Sequence, residues 1–176
     1  MKREQDIREN AVEAIAHRMM IAARTAPKGK GEDTLEIAVF TGEEKKEIGD
    51  YLIQMVEDGK AADYFARDGR NIRAAQALFL IGTKISTLGV SPCGNCGFKN
   101  CAEKEKHPDV PCCFNISDLG IAIGSAVSVA ADCRVDSRVM YTVGVAAKEM
   151  GILGDEVKVV YGIPLSVSSK SPFFDR

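Results

Sequence analysis

Residues 116–131, ISDLGIAIGSAVSVAA, decide how this chain folds. The segment is apolar almost all round, and its spacing predicts a long helix, capped by Asn115 or Ser117 and running through Ala131. Gly120, Gly124 and Ser128 recur every fourth residue, so one face is small enough for another backbone to approach. The segment therefore reads as the central core helix. Asp118, Gly120, Gly124, Ser125 and Ser128 interrupt it, and it falls short of the roughly 20 residues that a membrane helix needs.

Shorter elements lie to either side. Towards the N-terminus, Ile7, Ala11, Val12, Ile15, Met19, Ala22 and Ala23 fall at three- and four-residue spacing, which predicts a helix over 5–24. Pro27, Gly29 and Gly31 break it, and LEIAVF at 35–40 reads as a strand. Thr41 and Glu44 form a capping-box pattern ahead of a helix carrying Ile48, Leu52, Met55 and Val56 and ending at Gly59. A short helix over 61–66 and a buried strand over 77–83, ALFLIGT, follow. Beyond the central helix, Ser137 is expected to cap a helix that stops at Gly151, and VKVVYGI at 157–163 to form a strand ending at Pro164. The adjacent Phe173 and Phe174 in the Ser-rich tail are expected to dock, on this domain or on a second subunit. This order of elements predicts a single α+β domain over 1–176.

Lys and Arg number 23 against 25 Asp and Glu, a net charge of -2, which offers nothing to a nucleic acid or an anionic membrane. The opening MKREQDIREN is charged where a signal peptide is apolar, so the expected location is cytoplasmic. In that compartment clustered cysteines point to a metal before disulfides. Five of the six cysteines fall between Cys93 and Cys113.

Cys93, Cys96 and Cys101 form C-x2-C-x4-C, with Cys112 following, inside a segment at about 88–115. Four thiolates on a short loop suit zinc, copper(I) or an iron-sulfur cluster. Gly94 and Gly97 permit the tight turns that wrap backbone around a cluster. Structural zinc sites usually present two gripping pairs, whereas here only the first pair has that form. Three close cysteines and one remote one match cluster ligation better. Simple burial of the cysteines is the blander reading, but this polar, Gly- and Pro-rich segment offers little apolar core. The fourth ligand is Cys112 or Cys113; Cys112 is chosen because its neighbour then packs at the start of the helix. Cys133 reads as structural and His107, among Lys104, Glu105 and Lys106, as solvated. His17, on the first helix, carries no signal.

CGNCGFKNCAEKEKHPDVPC at 93–112 resembles the four-cysteine 4Fe-4S domain of corrinoid iron-sulfur proteins and electron-transport subunits. The resemblance implies Cys93, Cys96, Cys101 and Cys112 as cluster ligands, and Gly97 matches the glycine after the second cysteine. ARTAPKGKG at 23–31, the helix at 118–132 and GIPLSVSSKSPFFDR at 162–176 extend a likeness over nearly the full length. It is to uncharacterised ferredoxin-domain-containing proteins of anaerobic bacteria and archaea. A more distant likeness, to the flavin-dependent nitroreductases, rests on Ala26-Pro27, the strand at 35–40, Asp118 to Gly120 and Gly162 to Pro164, in that order. It implies an α+β sandwich, a small mixed sheet packed on long helices, with the Cys-rich segment as a cluster-binding insertion, and an intertwined homodimer. Nitroreductases hold the flavin phosphate with an Arg-Arg-Ser type motif ahead of the Ala-Pro turn, and this chain has Met1-Lys2-Arg3 there. Arg24, Lys28 and Lys30 are the basic residues left to serve a phosphate from the turn.

The leading functional reading is a redox protein in which one 4Fe-4S cluster passes single electrons to a partner protein that the sequence does not identify. Lys99, Lys104 and Lys106 would favour an anionic cluster, with Glu103 and Glu105 cancelling them at long range. The alternatives are an FMN-dependent oxidoreductase fed by the cluster and a zinc-stabilised structural or interaction module. No nucleophile triad and no phosphate-binding G-x-x-x-x-G-K motif is present.

Overall fold

A four-stranded sheet forms the middle of three layers, with helices on both faces. The computed structural model describes residues 1–174, so Asp175 and Arg176 of the tail lie outside the described residues. In chain order the elements are α1 (Glu4–Thr25), a single 3-10 turn (Gly29–Gly31), β1 (Leu35–Phe40), α2 (Gly42–Glu57), α3 (Tyr64–Ala74) and β2 (Ala77–Lys84). They continue with α4 (Cys101–Lys104), α5 (Cys113–Asp132), β3 (Asp136–Ser137), α6 (Tyr141–Glu149) and β4 (Val157–Ser166).

The strands lie in the order β1-β2-β4-β3. The β1/β2, β2/β4 and β3/β4 pairs are antiparallel, so the sheet is not the mixed one expected. For β1 and β2 the cause is in the connection: two helices, α2 and α3, lie between them, and this pair of traverses returns the chain to the end it left.

Both faces of the sheet are covered, which explains why β2 reads as a continuous apolar run. Ala77, Phe79 and Ile81 face α1 and α5, joining Val12, Ala16, Met19, Leu119, Ala122, Ala126 and Ala130 in one core. Leu78 and Leu80 face the other way, onto Ile48, Leu52, Ile72, Val143 and Ala146 of α2, α3 and α6. Each of these large side chains contributes about 1.5–3 kcal/mol by leaving water.

Several boundaries depart from the sequence reading. Thr41 occupies the N-cap of α2, but its side chain makes no capping bond. Helix α3 extends over polar residues to Ala74: Asp68 is buried and accepts a bond from Thr142 Oγ1 at 2.8 Å. Gly49 and Gly69 let α2 and α3 touch backbone to backbone. Ser137 does not cap a helix, because it pairs with Leu165 as part of β3, and the following helix waits until Tyr141. Strand β4 continues through Pro164 to Ser166. Gly162 exchanges backbone bonds with Met140 on the β3 side, and Leu165 accepts from Gln76 on the β2 side. By alternation the missing N–H of Pro164 falls on the β3 side, in the gap between the Ser137 and Met140 pairings, so no ladder bond is lost.

Helix α5 is central, but not as its glycines suggested. Gly120, Gly124 and Ser128 face outwards, and a Cβ at either glycine would meet nothing within 4 Å. The backbone contact made possible by glycine lies elsewhere: a Cβ at Gly144 of α6 would run into the Val160 carbonyl. At 20 residues and a mean hydropathy of 1.5, α5 is long and apolar enough to cross a membrane by length and composition, contrary to the sequence reading; here its inner face packs on α1 and the sheet. Phe173 docks on its own chain, 3% exposed in the α2/α3/α6 core, while Arg138 donates to its carbonyl at 2.8 Å and lies over the Phe174 ring.

Candidate metal centre

The chain leaves β2 at Lys84 and reaches α5 only at Cys113, and the five clustered cysteines lie on this excursion or at its end. Its ends are held to the scaffold. The buried Asn115 accepts the backbone N–H of Ser86 at 3.0 Å, and Lys30 donates to the Leu88 carbonyl at 3.0 Å. Asn115 is thereby engaged with the loop, and α5 opens ahead of both expected caps, at Cys113 with Cys112 in the cap position.

Within the excursion, local bonds set the shape. Gly97 has φ +87° and its N–H donates to Gly94 at 2.9 Å, a turn that a side chain would strain. Asn100 caps α4 by accepting the Glu103 N–H at 2.9 Å, and Glu103 reaches back to accept the Lys99 N–H at 2.8 Å. His107 is exposed as expected, but its ring is stacked on Phe98 with centroids 5.0 Å apart. His17 is exposed on α1, near Glu13.

All six cysteines are free thiols. Cys93 and Cys101 line an open cavity of about 310 Å³ together with Gly89, Val90, Pro92 and Asn100. Cys101 Sγ is 3.7 Å from the Val90 carbonyl, to which it donates. Cys112 and Cys113 stand at the start of α5. The Cys113 thiol is pushed up to about 11 by burial and by the nearby Cys112, Cys93 and Cys96, with Cys112 in hydrogen-bond contact. Cys93 thus belongs to both groups. Among the described residues no three His, Cys, Asp or Glu side chains are gathered tightly enough to hold a single ion.

The sequence reading did not see that Cys113 faces the first cysteine pair, nor that Asn115 and Asp118 fasten the start of α5. The available signal was two polar residues three apart on a helix otherwise apolar, which places them on one face. Cys133 closes the far end of α5, about 30 Å away along the helix, and packs on the apolar core.

The basic residues of the turn after α1 are engaged within the fold. Arg24 donates to the Leu35 carbonyl at 3.0 Å and pairs with Asp33 at 2.8 Å. Lys28 donates to the carbonyls of Ala23, Arg24 and Ala26. Lys30 holds Leu88 and lies 3.5 Å from Glu32. These side chains, as placed, do not fit the phosphate of a flavin.

Residues 108–176 match the model of a family described as "Uncharacterized protein containing a ferredoxin domain (DUF2148)". That match takes in Cys112, Cys113 and Cys133 and begins after the first three cysteines. An "Uncharacterized protein" of Archaeoglobus fulgidus is 44% identical over 181 residues, covering 98% of this chain and 96% of that protein. Among solved structures, a BluB-like flavoprotein from Clostridium difficile 630 superposes with a TM-score of 0.58 at 19% identity, over 89% of this chain and 81% of its own. The FMN-dependent nitroreductase NfnB from Mycobacterium smegmatis, solved with NADPH, gives a TM-score of 0.61 at 10% identity, over 89% and 78%. The fold is therefore nitroreductase-like.

Proposed function

Since this chain belongs to one family with the uncharacterized protein of Archaeoglobus fulgidus, and its residues 108–176 match the ferredoxin-domain family model, we propose that it is an iron-sulfur electron carrier, with Cys93, Cys96, Cys101 and Cys112 holding one 4Fe-4S cluster. The observation that carries this reading is the placement of five free thiols on one polar excursion or at its end, two of them, Cys93 and Cys101, lining a cavity. Four thiolates on one short segment suit the ligation of an iron-sulfur cluster.

When bound, the cluster supplies one-electron chemistry: it takes one electron from a reduced donor protein and gives one to an oxidised acceptor, with no substrate bond made or broken. The protein supplies the rest. Cys93 and Cys96 project from the glycine turn, Cys101 opens α4 and gives up its bond to Val90 when it ionises, and Cys112 closes the segment at the cap of α5. Cys113 remains as a fifth thiol. Flavin has no part in this reading, because Arg24, Lys28 and Lys30 are already engaged with carbonyls and carboxylates. The whole chain, 1–176, acts as one domain in this account, with 88–115 as its cluster-binding segment. The outward face of α5 joins two copies as a homodimer, and the reduced thiols suit the cytoplasm.

Single cysteine variants test the ligand set. Cys96→Ala purified without oxygen should lose its iron and Cys133→Ala should keep it; equal iron in the two overturns the assignment. Cys112→Ser should lose iron while Cys113→Ser retains it, and the reverse result moves the fourth ligand by one residue.

A further inference from the structure

Lys28, Lys30, Lys45, Lys46, Lys60 and Lys84 each reach a carbonyl or a carboxylate within the fold. Lys148 and Lys158 do not: among the described residues neither ammonium has a hydrogen bond or an ion pair, yet both line one cavity. This cavity, of about 190 Å³, lies between α6 and the first half of β4. Tyr141, Val145 and Lys148 border it from one face of α6, at helical spacing, and Lys158 and Tyr161 border it from β4. Its lining holds two ammonium groups and no carboxylate. The Tyr141 hydroxyl shares a hydrogen bond with that of Tyr64, which fixes this end of the wall. A second cavity, of about 350 Å³, adjoins at Lys148 and Lys158, which line both, and reaches Gly154 and Asp155.

The backbone adds a donor to the first cavity. Gly162 exchanges its bonds with Met140, so by alternation the N–H and carbonyl of Val160 also point away from β2, towards α6. Strand β3 pairs only with Leu165 and Ser166, so no strand reaches Val160 from that side. Gly144 closes off the carbonyl, since a Cβ there would run into its oxygen. Nothing closes off the N–H: among the described residues no acceptor meets it, and Val160 lines the cavity. A backbone donor left over at a sheet edge calls for an acceptor. Two ammonium groups bordering the same space call for that acceptor to be negative.

We propose that the cavity between α6 and β4 binds a small oxyanion, the phosphate or carboxylate group of a small molecule. The oxyanion accepts from the Val160 N–H and from the ammonium groups of Lys148 and Lys158. Such charge-assisted bonds are the strong class, and a backbone donor fixed by the sheet gives them a direction that lysines alone lack. The rest of the molecule extends into the second cavity, where Asp155 accepts from a hydroxyl or amine. The site uses none of the cysteines, so it stands whether or not they hold a cluster.

The test titrates the full chain, purified without oxygen and kept at constant ionic strength, with inorganic phosphate and with acetate. Calorimetry follows the affinity, and the Val160 amide resonance of isotope-labelled protein follows the place. At least one anion should bind and shift that resonance; tighter phosphate assigns a phosphorylated ligand and tighter acetate a carboxylic acid. Lys148→Gln and Lys158→Gln remove one charge each at an exposed position and should each weaken binding about fivefold, as for one partly solvated ion pair. Lys2→Gln removes an exposed charge ahead of α1 and should leave the affinity unchanged. Overturning results are failure of both anions to bind, binding that leaves the Val160 amide unmoved, undiminished binding in both groove variants, or equal weakening in Lys2→Gln.

Discussion

Asp118 Oδ2 accepts the backbone N–H of Gly29 at 3.0 Å across 89 residues of chain. The bond joins the turn after α1 to the first turns of α5, next to Phe114 and Leu88, both of which lie close to Gly29. Since Lys30 of the same turn holds the Leu88 carbonyl, the turn connects the cysteine excursion to its scaffold on two sides.

Asp118→Ala should therefore cost about 1–3 kcal/mol, the order expected for a part-buried hydrogen bond to a charged acceptor. Asp118→Asn keeps a carbonyl oxygen in place and should cost less. Urea unfolding of the two variants checks the order, and equal losses would mean that this bond does not hold the turn.

Asp33 provides a pH prediction. Burial alone would raise its carboxyl, but the bond from Arg24, the Leu35 N–H and the charges of Arg24 and Lys28 outweigh burial and hold it below the usual carboxylate range. A depressed folded value stabilises the protein above the unfolded pKa of about 3.9, and that contribution is lost as pH falls through the folded value. Between pH 7 and pH 3 the wild type should lose more melting temperature than Asp33→Asn. Parallel losses in the two proteins would contradict the ion pair's contribution.

The outer face of α5 bears Gly120, Gly124 and Ser128 between the exposed Ile116 and Ile121, which are 40% and 47% exposed in the single chain. A face that is both apolar and free of side-chain bulk suits a second copy of the same helix. The wild type should sediment at twice 19.0 kDa, and Gly124→Arg should sediment as the monomer with its melting temperature nearly unchanged. A monomeric wild type, or a dimeric Gly124→Arg, would remove α5 from the interface.

Much of this architecture was legible in the sequence, for identifiable reasons. Strand β1 matched its expected span and β2 ended one residue late, because short, largely apolar runs flanked by turn residues suit a strand. Helix α1 followed its apolar spacing, although Ile7 is 43% exposed, beyond the reach of the core. What escaped the sequence was tertiary in origin. Ser137 is a good cap by composition, but strand pairing with Leu165 claimed it. Asn115 became the anchor of a loop 29 residues away in sequence. Gly120 and Gly124 resemble Gly144 in sequence, and only the fold separates a glycine facing outwards from one pressed against a carbonyl. At the candidate centre the first three cysteines announced themselves by spacing, whereas the adjacent Cys112 and Cys113 did not, because only the direction in which α5 begins distinguishes them.

The central claim is that these cysteines hold a 4Fe-4S cluster, and one measurement bears on it most directly: an absorption spectrum of protein purified without oxygen, with iron, zinc and acid-labile sulfide assayed on the same sample. The account predicts a broad band near roughly 400 nm that dithionite bleaches, with about four iron and four sulfide per chain and no flavin peaks. A colourless protein carrying about one zinc per chain and no sulfide would contradict it.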